Sequence, residues 1–465
     1  MTSELQRGRF HFVYIVKFIR NGLVLCLLPM ITALLRFDLQ SLYSALQKDA
    51  LILIGMFLVS LLLWHRGGYE LGSDCLALHF GFVSWRQQLI PFDQIAVMEQ
   101  SRPLVLRMLG ATRITLYAAR TARFKSVRFY LPKKQAAYMA ETIMPVESDA
   151  VFFNPSGAES LRFIMLSANV AASAALLFVS ARQTGELLGQ NVEQQLNHLA
   201  MDNLSRLEKM VELFLPTGLA WLFTLGFILW GLAIFWSLLS TGGFKVSRSG
   251  GVILARGGHV NHTERRVLAS AISYCDVRQT PFSRLLRRFP VFLCAGSFQG
   301  GDVPFLVYKK GEEQLLQALL PAFRLEDLDI GPVADRTWPL FLWKGGTAFA
   351  FCATLMSVSV WQLPQVTPFF LLPLLGSIGL LIFGLEARMC EGIATQPGGS
   401  LRICYTKGLT RHDLCVLTRD ISYTTFQTPF SETIARCNLY LHLPCRRYIR
   451  IRGIKVWQAR QLKLN

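Results

Sequence analysis

The phrase Gln279-Thr280-Pro281-Phe282-Ser283 returns as Gln427-Thr428-Pro429-Phe430-Ser431, and a looser form stands at Gln100-Ser101-Arg102-Pro103-Leu104. Each copy follows an apolar-alternating run, at 95–98, 272–277 and 421–426. A phrase recurring in one context at long range limits the chain to an array of related units, here three. Thr280 and Thr428 are expected to cap a short helix with their hydroxyls, and Pro281 and Pro429 suit its first position, where no N–H is needed. The intervals are unequal: 178 residues separate Pro103 from Pro281, and 148 separate Pro281 from Pro429.

Between the units lie long uncharged apolar runs. With 52% hydrophobic and 17% charged residues and a mean hydropathy of +0.36, they lead us to expect six membrane spans arranged as three hairpins. The first run, 21–35, is short, and Lys17, Arg20 and Arg36 can extend it by snorkelling. The others are 50–64, 163–180, 213–241, 345–363 and 367–385. The turn of the second hairpin, 182–212, spaces Leu188, Val192, Leu196, Leu199, Leu204, Leu207 and Val211 as an amphipathic helix. It reads either as an extension of the fourth span packed on its neighbour or as an external partner surface. It exceeds the third hairpin's connection, 362–368, by about 25 residues, which supplies most of the difference between the two intervals.

Charge sets the expected orientation. The turns 36–49, 181–212 and 362–368 hold five Lys/Arg and seven Asp/Glu, while the rest of the chain holds 43 and 23. The excess of +20 on one side against −2 on the other places both termini and all polar segments in the cytoplasm by the positive-inside rule. The same rule and attraction to anionic headgroups account for the net +18, so nucleic acid is not expected as a partner. Ten cysteines without a CxxC pair read as reduced structural thiols.

The polar segments alternate like strands and end on helix-like stretches such as 132–143 and 312–320. We therefore expect three small β-rich barrels or sandwiches, each with a C-terminal helix. Boundaries follow the runs: membrane hairpins at 1–66, 161–242 and 338–386, polar domains at 67–160, 243–337 and 387–465. Ile90-Pro91-Phe92-Asp93-Gln94-Ile95, then Gln100-Ser101-Arg102-Pro103 and Arg107-Met108-Leu109-Gly110, resembles the bacterial pleckstrin-homology-like membrane-flanked family, and the triple arrangement resembles its YdbT-type members. The later copies diverge at Val267-Leu268-Ala269-Ser270-Ala271-Ile272 and Leu417-Thr418-Arg419-Asp420-Ile421. The resemblance implies three pleckstrin-homology-like domains in a multi-pass protein of the bacterial plasma (inner) membrane. It also implies a binding or scaffolding role, extending by analogy to envelope maintenance or defence.

Catalytic frames are missing from the pattern. His259-Val260-Asn261-His262, with Glu264, lacks the helical spacing that would bring both imidazoles to one face, so we expect no metal site. The glycines at 250–251 and 296–301 lack a phosphate loop's strand-to-helix setting. We expect no enzyme and no cofactor. The function expected is an interaction platform for membrane lipids or a membrane protein partner, self-association included; the alternative, a small-solute or lipid transporter, must contend with spans that carry no mid-membrane charge. The candidate contact surface is the strand Arg446-Arg447-Tyr448-Ile449-Arg450-Ile451-Arg452, in the most basic of the three domains, at +9 against +4 and +3. Alternation puts Arg446, Tyr448, Arg450 and Arg452 on one face, where we expect Arg446, Arg450 and Arg452 to meet anionic headgroups or an acidic partner, and Ile449 and Ile451 on the other.

Overall fold

The computed structural model describes residues 6–461 except 17–18, 20–38, 81–85, 121, 123, 147–149, 168–216, 302, 310, 324–337, 363–366, 397–398, 409, 418–420, 428, 434 and 445–446. The first expected span, most of the third and the turn 182–212 lie outside the described residues. The chain forms two compact units.

The first unit comprises Met1–Phe152, Lys245–Ile272 and Ala295–Gln299. Strand β1 (Gln6–Arg9) is followed by helix α1 (Leu39–Arg66), then β2 (Gly68–Leu71), β3 (Cys75–Phe80) and β4 (Arg86–Pro91); the four strands pair antiparallel in chain order. The chain then meanders through β5 (Ile95–Arg102), helix α2 (Leu104–Met108), β6 (Ala111–Ala118), β7 (Ser126–Pro132) and helix α3 (Lys133–Ile143). Period-two alternation turns Leu76, Leu78, Ile114, Leu116, Phe129 and Leu131 inward, and α3 supplies Ala136, Met139, Ala140 and Ile143 at three- and four-residue steps. Burying one such large side chain stabilises the fold by about 1.5–3 kcal/mol. Two sheets closed by one helix make a β-rich, pleckstrin-homology-like body.

Its second sheet continues past the first repeat. After β8 (Ala150–Phe153), α4 (Gly157–Ser167) and α5 (Thr217–Thr241) come β9 (Lys245–Ser249), β10 (Val252–Gly257) and β11 (His262–Leu268). Strand β11 pairs antiparallel with β5, giving the seven-stranded order β7-β6-β5-β11-β10-β9-β8.

The second unit comprises Phe153–Phe244, Ser273–Cys294 and Gly300–Asn465. It contains β12 (Ile272–Gln279), α6 (Pro281–Leu285), β13 (Arg288–Ala295), β14 (Leu306–Lys309) and α7 (Glu313–Leu319). The helices α8 (Trp338–Gln362) and α9 (Thr367–Cys390) come next, then β15 (Gly392–Gln396), β16 (Ser400–Lys407), β17 (Thr410–Leu417) and β18 (Ser422–Phe426). Helix α10 (Pro429–Thr433), β19 (Arg436–Leu443), β20 (Arg447–Lys455) and α11 (Val456–Gln461) end it. The sheets are β14-β13-β12-β17-β16-β15 and β18-β19-β20, so β12 pairs with β17 as β5 does with β11. Residues 243–337 thus contribute strands to both units.

The repeated phrase marks one local device built three times, as β5-α2-β6, β12-α6-β13 and β18-α10-β19. In the second copy Thr280 caps the helix, its hydroxyl accepting from Ser283 N at 3.1 Å with Pro281 behind it; in the first, Pro103 holds that position without a side-chain cap. Thr428 lies outside the described residues. Each helix then ends on a left-handed residue, Gly110 (φ 69°), Arg287 (φ 51°) or Ala435 (φ 53°).

Of the six spans expected, two helical stretches among the described residues are long and apolar enough to cross a membrane by length and composition: Phe341–Gln362 in α8 and Pro373–Cys390 in α9. The described apolar parts of α1 and α5, Ile52–Arg66 and Gly226–Thr241, are shorter than the ~20 residues a bilayer requires. Helices α8 and α9 pack through glycine. A Cβ on Gly345 would stand 2.9 Å from Leu381 N, and one on Gly384 2.6 Å from Phe341 O. Gly346 and Gly376 face open space instead.

Candidate functional site

Strand β20 follows the alternation its sequence sets. Ile449 and Ile451 are buried; Tyr448 is 70% exposed and Arg450 is exposed with it. Pairing with β19 sets Arg450 opposite Tyr440 and Tyr448 opposite His442. The Arg450 guanidinium lies 5.7 Å from the Tyr440 ring centre, and the Tyr448 ring meets His442 edge-on at 4.9 Å. At the end of the strand, the Lys455 ammonium sits 5.7 Å from the ring of Trp457, itself half exposed. Cationic groups backed by aromatic rings form a face suited to anionic, amphipathic surfaces.

The three arginines singled out in the sequence are placed differently. Arg446 lies outside the described residues. Arg450 is on the open face. Arg452 is half buried and committed to Glu391, with Nη2 2.6 Å from Oε1 and Nε 3.2 Å from Oε2; Glu391 Oε2 also accepts from Arg452 N. The Arg452 guanidinium covers the Phe341 ring at 4.5 Å. Because Glu391 directly follows α9 and Phe341 belongs to α8, this contact fastens β20 to the apolar helix pair.

Arg447, on the isoleucine face, turns inward. Its Nη1 donates to Asp276 Oδ2 at 3.0 Å and to the Tyr274 hydroxyl, and its Nη2 to the Tyr405 hydroxyl. Asp276 is almost wholly buried on β12 and also receives Arg278 Nε at 3.2 Å and His412 Nδ1 at 2.9 Å. Burial alone would raise the Asp276 carboxyl, but the His412 hydrogen bond and the neighbouring cations outweigh it and hold the group at about 2. A carboxylate only accepts, so His412 Nδ1 carries the proton that joins them. Arg402 and Asp413 form a second buried pair in the same sheet, at 2.6 Å. The sequence reading passed over this cluster. Its signal was available in Asp276, His412 and Asp413, charged or titratable residues beside the apolar runs Tyr274, Cys275 and Val277 of β12 and Leu414, Cys415 and Val416 of β17.

The first unit has a charged cluster of its own. Arg266 Nη1 donates to Ala140 O and Met144 O at 3.0 and 2.7 Å, closing the C-terminal end of α3, while its other nitrogens meet Glu264 and Glu141. Arg265 pairs with Glu99 across β11 and β5 at 3.1 Å, and Glu99 accepts from Tyr117. In the His259–His262 stretch, His259 O accepts from Arg107 and Asn261 Oδ1 from Ser101. No group of three His, Cys, Asp or Glu among the described residues is placed to hold a metal.

Comparison with known proteins finds no matching curated protein and no matching solved structure. Strands β2 to β7 and helix α3, with their two sheets and closing helix, fall within residues 25–146, the stretch that matches the Bacterial PH domain family.

Proposed function

We propose that the chain is a multi-pass membrane protein of the bacterial plasma membrane that presents pleckstrin-homology-like domains in the cytoplasm as a platform for anionic lipid headgroups or a membrane protein partner. Such domains are interaction modules, and the match at 25–146 supports that role here. The observation that carries the reading is the α8–α9 hairpin. Only 11% and 17% of its two apolar stretches are buried, the reverse of core helices in a water-soluble fold. Trp343 and Trp361 are exposed near opposite ends of α8, 62% and 88%, and their 18-residue separation corresponds to about 27 Å of helix, close to the thickness of a hydrocarbon core. Attachment of β20 to this pair through Arg452 and Glu391 supports holding the third repeat at the surface, with Arg450 and Tyr448 available to headgroups.

Reporter fusions to the full chain test the arrangement. A reporter near Gln195 should be external, and reporters near Lys133 and at the C-terminus internal; an external C-terminus rejects the orientation. The protein should also remain in the membrane pellet after alkaline extraction.

A further inference from the structure

We propose that the α2 turn of the first repeat is a lipid-inserting wedge, seated at the headgroup and acyl-chain boundary of an anionic leaflet. Leu104, Val105, Met108 and Leu109 are 50%, 67%, 80% and 39% exposed, a density of open apolar side chains that water does not favour on one short turn. The turn is anchored. Leu106 packs with Val13, Ala111 and Tyr130, and His11 N donates to Tyr130 O at 2.8 Å. Phe12 and Val16, from the segment carrying Val13, are exposed as well. The patch therefore combines a rigid base with apolar groups from two segments.

Three observations select lipid as the occupant. The chain runs from Val16 into the uncharged apolar stretch 21–35, so the patch lies close along the chain to a segment with membrane-span composition. Its edge is cationic: Arg107 belongs to α2, and exposed Lys133 and Lys134 adjoin its end, Lys133 N donating to Gly110 O. The equivalent turn of the second repeat, α6, sets Phe282 edge-on against Trp230 of the apolar helix α5, at 6.0 Å. In that copy Phe282 meets a neighbouring apolar helix and, of its large apolar side chains, Leu285 alone is left open, whereas the first copy leaves Leu104, Val105, Met108 and Leu109 open for a leaflet.

The inference rests on the membrane reading above, and the test separates the two. The full chain is placed in nanodiscs of phosphatidylcholine and phosphatidylglycerol, with an environment-sensitive fluorescent amino acid at one position: Met108, Val358 on α8, or Tyr138 on the exposed side of α3. Val358 reports the membrane hairpin and Tyr138 the water-facing surface. With brominated acyl chains, Met108 should emit blue-shifted light and lose more than half of its emission, as Val358 does, while Tyr138 stays red-shifted and unquenched. A water-like, unquenched Met108 beside a quenched Val358 overturns the wedge and leaves the membrane reading intact. A blue-shifted but unquenched Met108 also overturns it, because protein then covers the turn, a second copy or another part of the chain. If Val358 itself is unquenched, the membrane reading fails and the wedge with it.

Discussion

The two strand junctions between successive repeats, β5 with β11 and β12 with β17, are alike in backbone and opposite in charge design. In the first unit the buried centre is a cation: Arg266 is 3% exposed, and it satisfies its donors with two helix-end carbonyls and two glutamates, of which the Glu141 side chain is 56% exposed. In the second the centre is an anion: Asp276 is 1% exposed and gathers His412, Arg278 and Arg447. Extending a sheet into the next repeat brings charged side chains of adjacent strands together away from water, and they must be paired there. Either polarity serves. The difference lies in what remains when one partner is removed, since the Glu141 side chain is 56% exposed whereas Asp276 and His412 are 1% and 8% exposed.

The sharpest way to break the comparison is Asp276→Ala. It takes the shared carboxylate from His412, Arg278 and Arg447, leaving Arg447 only the Tyr274 and Tyr405 hydroxyls, and loss of one member of a buried pair costs about 3–5 kcal/mol. Unfolding of a chain with several units is not two-state, so the readout is amide hydrogen exchange of β12, β17 and β20 in the reconstituted protein. Protection there should fall while β5 to β7 stay unchanged. Arg266→Ala should cost about 2–3 kcal/mol, read at α3 and β11, because the released Glu141, 56% exposed, can be rehydrated. An equal or larger loss for Arg266→Ala would show that charge polarity is not what separates the two junctions.

Acid sharpens the contrast. The Asp276 carboxyl is held at about 2, below its ordinary unfolded value near 3.9, so its contribution is complete above about pH 4 and is lost as pH falls toward 2. The depression corresponds to roughly 2 kcal/mol. Hydrogen exchange at β12 and β17 should accelerate in that window. Glu141 is also held low, chiefly by its hydrogen bond from Arg266, and acts in the same direction, but its exposure keeps the effect in the first unit smaller.

How much of this was legible depended on the range of the interaction. The recurring Thr-Pro phrase disclosed the turn helices, and alternation disclosed the faces of β20, because capping and pleating act over a few residues. Pairing of β5 with β11 and of β12 with β17 joins strands more than a hundred residues apart and leaves no local trace. For the same reason the sequence set Arg452 beside Arg450 as a free contact, whereas Glu391, 61 residues away, holds it to the helix pair. Arg447 escaped notice because an arginine on an isoleucine face makes sense only once Asp276 is known to lie beneath it.

The smaller predictions concern the three turns. Thr280→Ala removes the hydroxyl accepting from Ser283 N and should cost about 1 kcal/mol, read as faster exchange in α6. In the first copy Pro103 has no such bond to lose, so cap substitutions should separate the copies.

The residue that ends each turn tests how far the three devices are one. Gly110, Arg287 and Ala435 all adopt positive φ, and each N–H donates to the carbonyl three residues back, Arg107, Arg284 and Glu432, at 3.0–3.1 Å. The geometry is common while the residue differs, so two copies bear the left-handed penalty of a side chain, roughly 1 kcal/mol, and the first avoids it with glycine. Arg287→Gly and Ala435→Gly should each stabilise by about 0.5 kcal/mol, the relief being partly offset by the greater freedom of glycine in the unfolded chain. Gly110→Ala should do the reverse, by about 1 kcal/mol. A Cβ there meets nothing within 4 Å, so no clash contributes and the loss reflects conformation alone. Slower exchange at β13 and β19 in the glycine variants and faster exchange at β6 in the alanine variant would establish one backbone device under three sequences. Destabilisation by Arg287→Gly would show instead that its side chain holds the second turn in place.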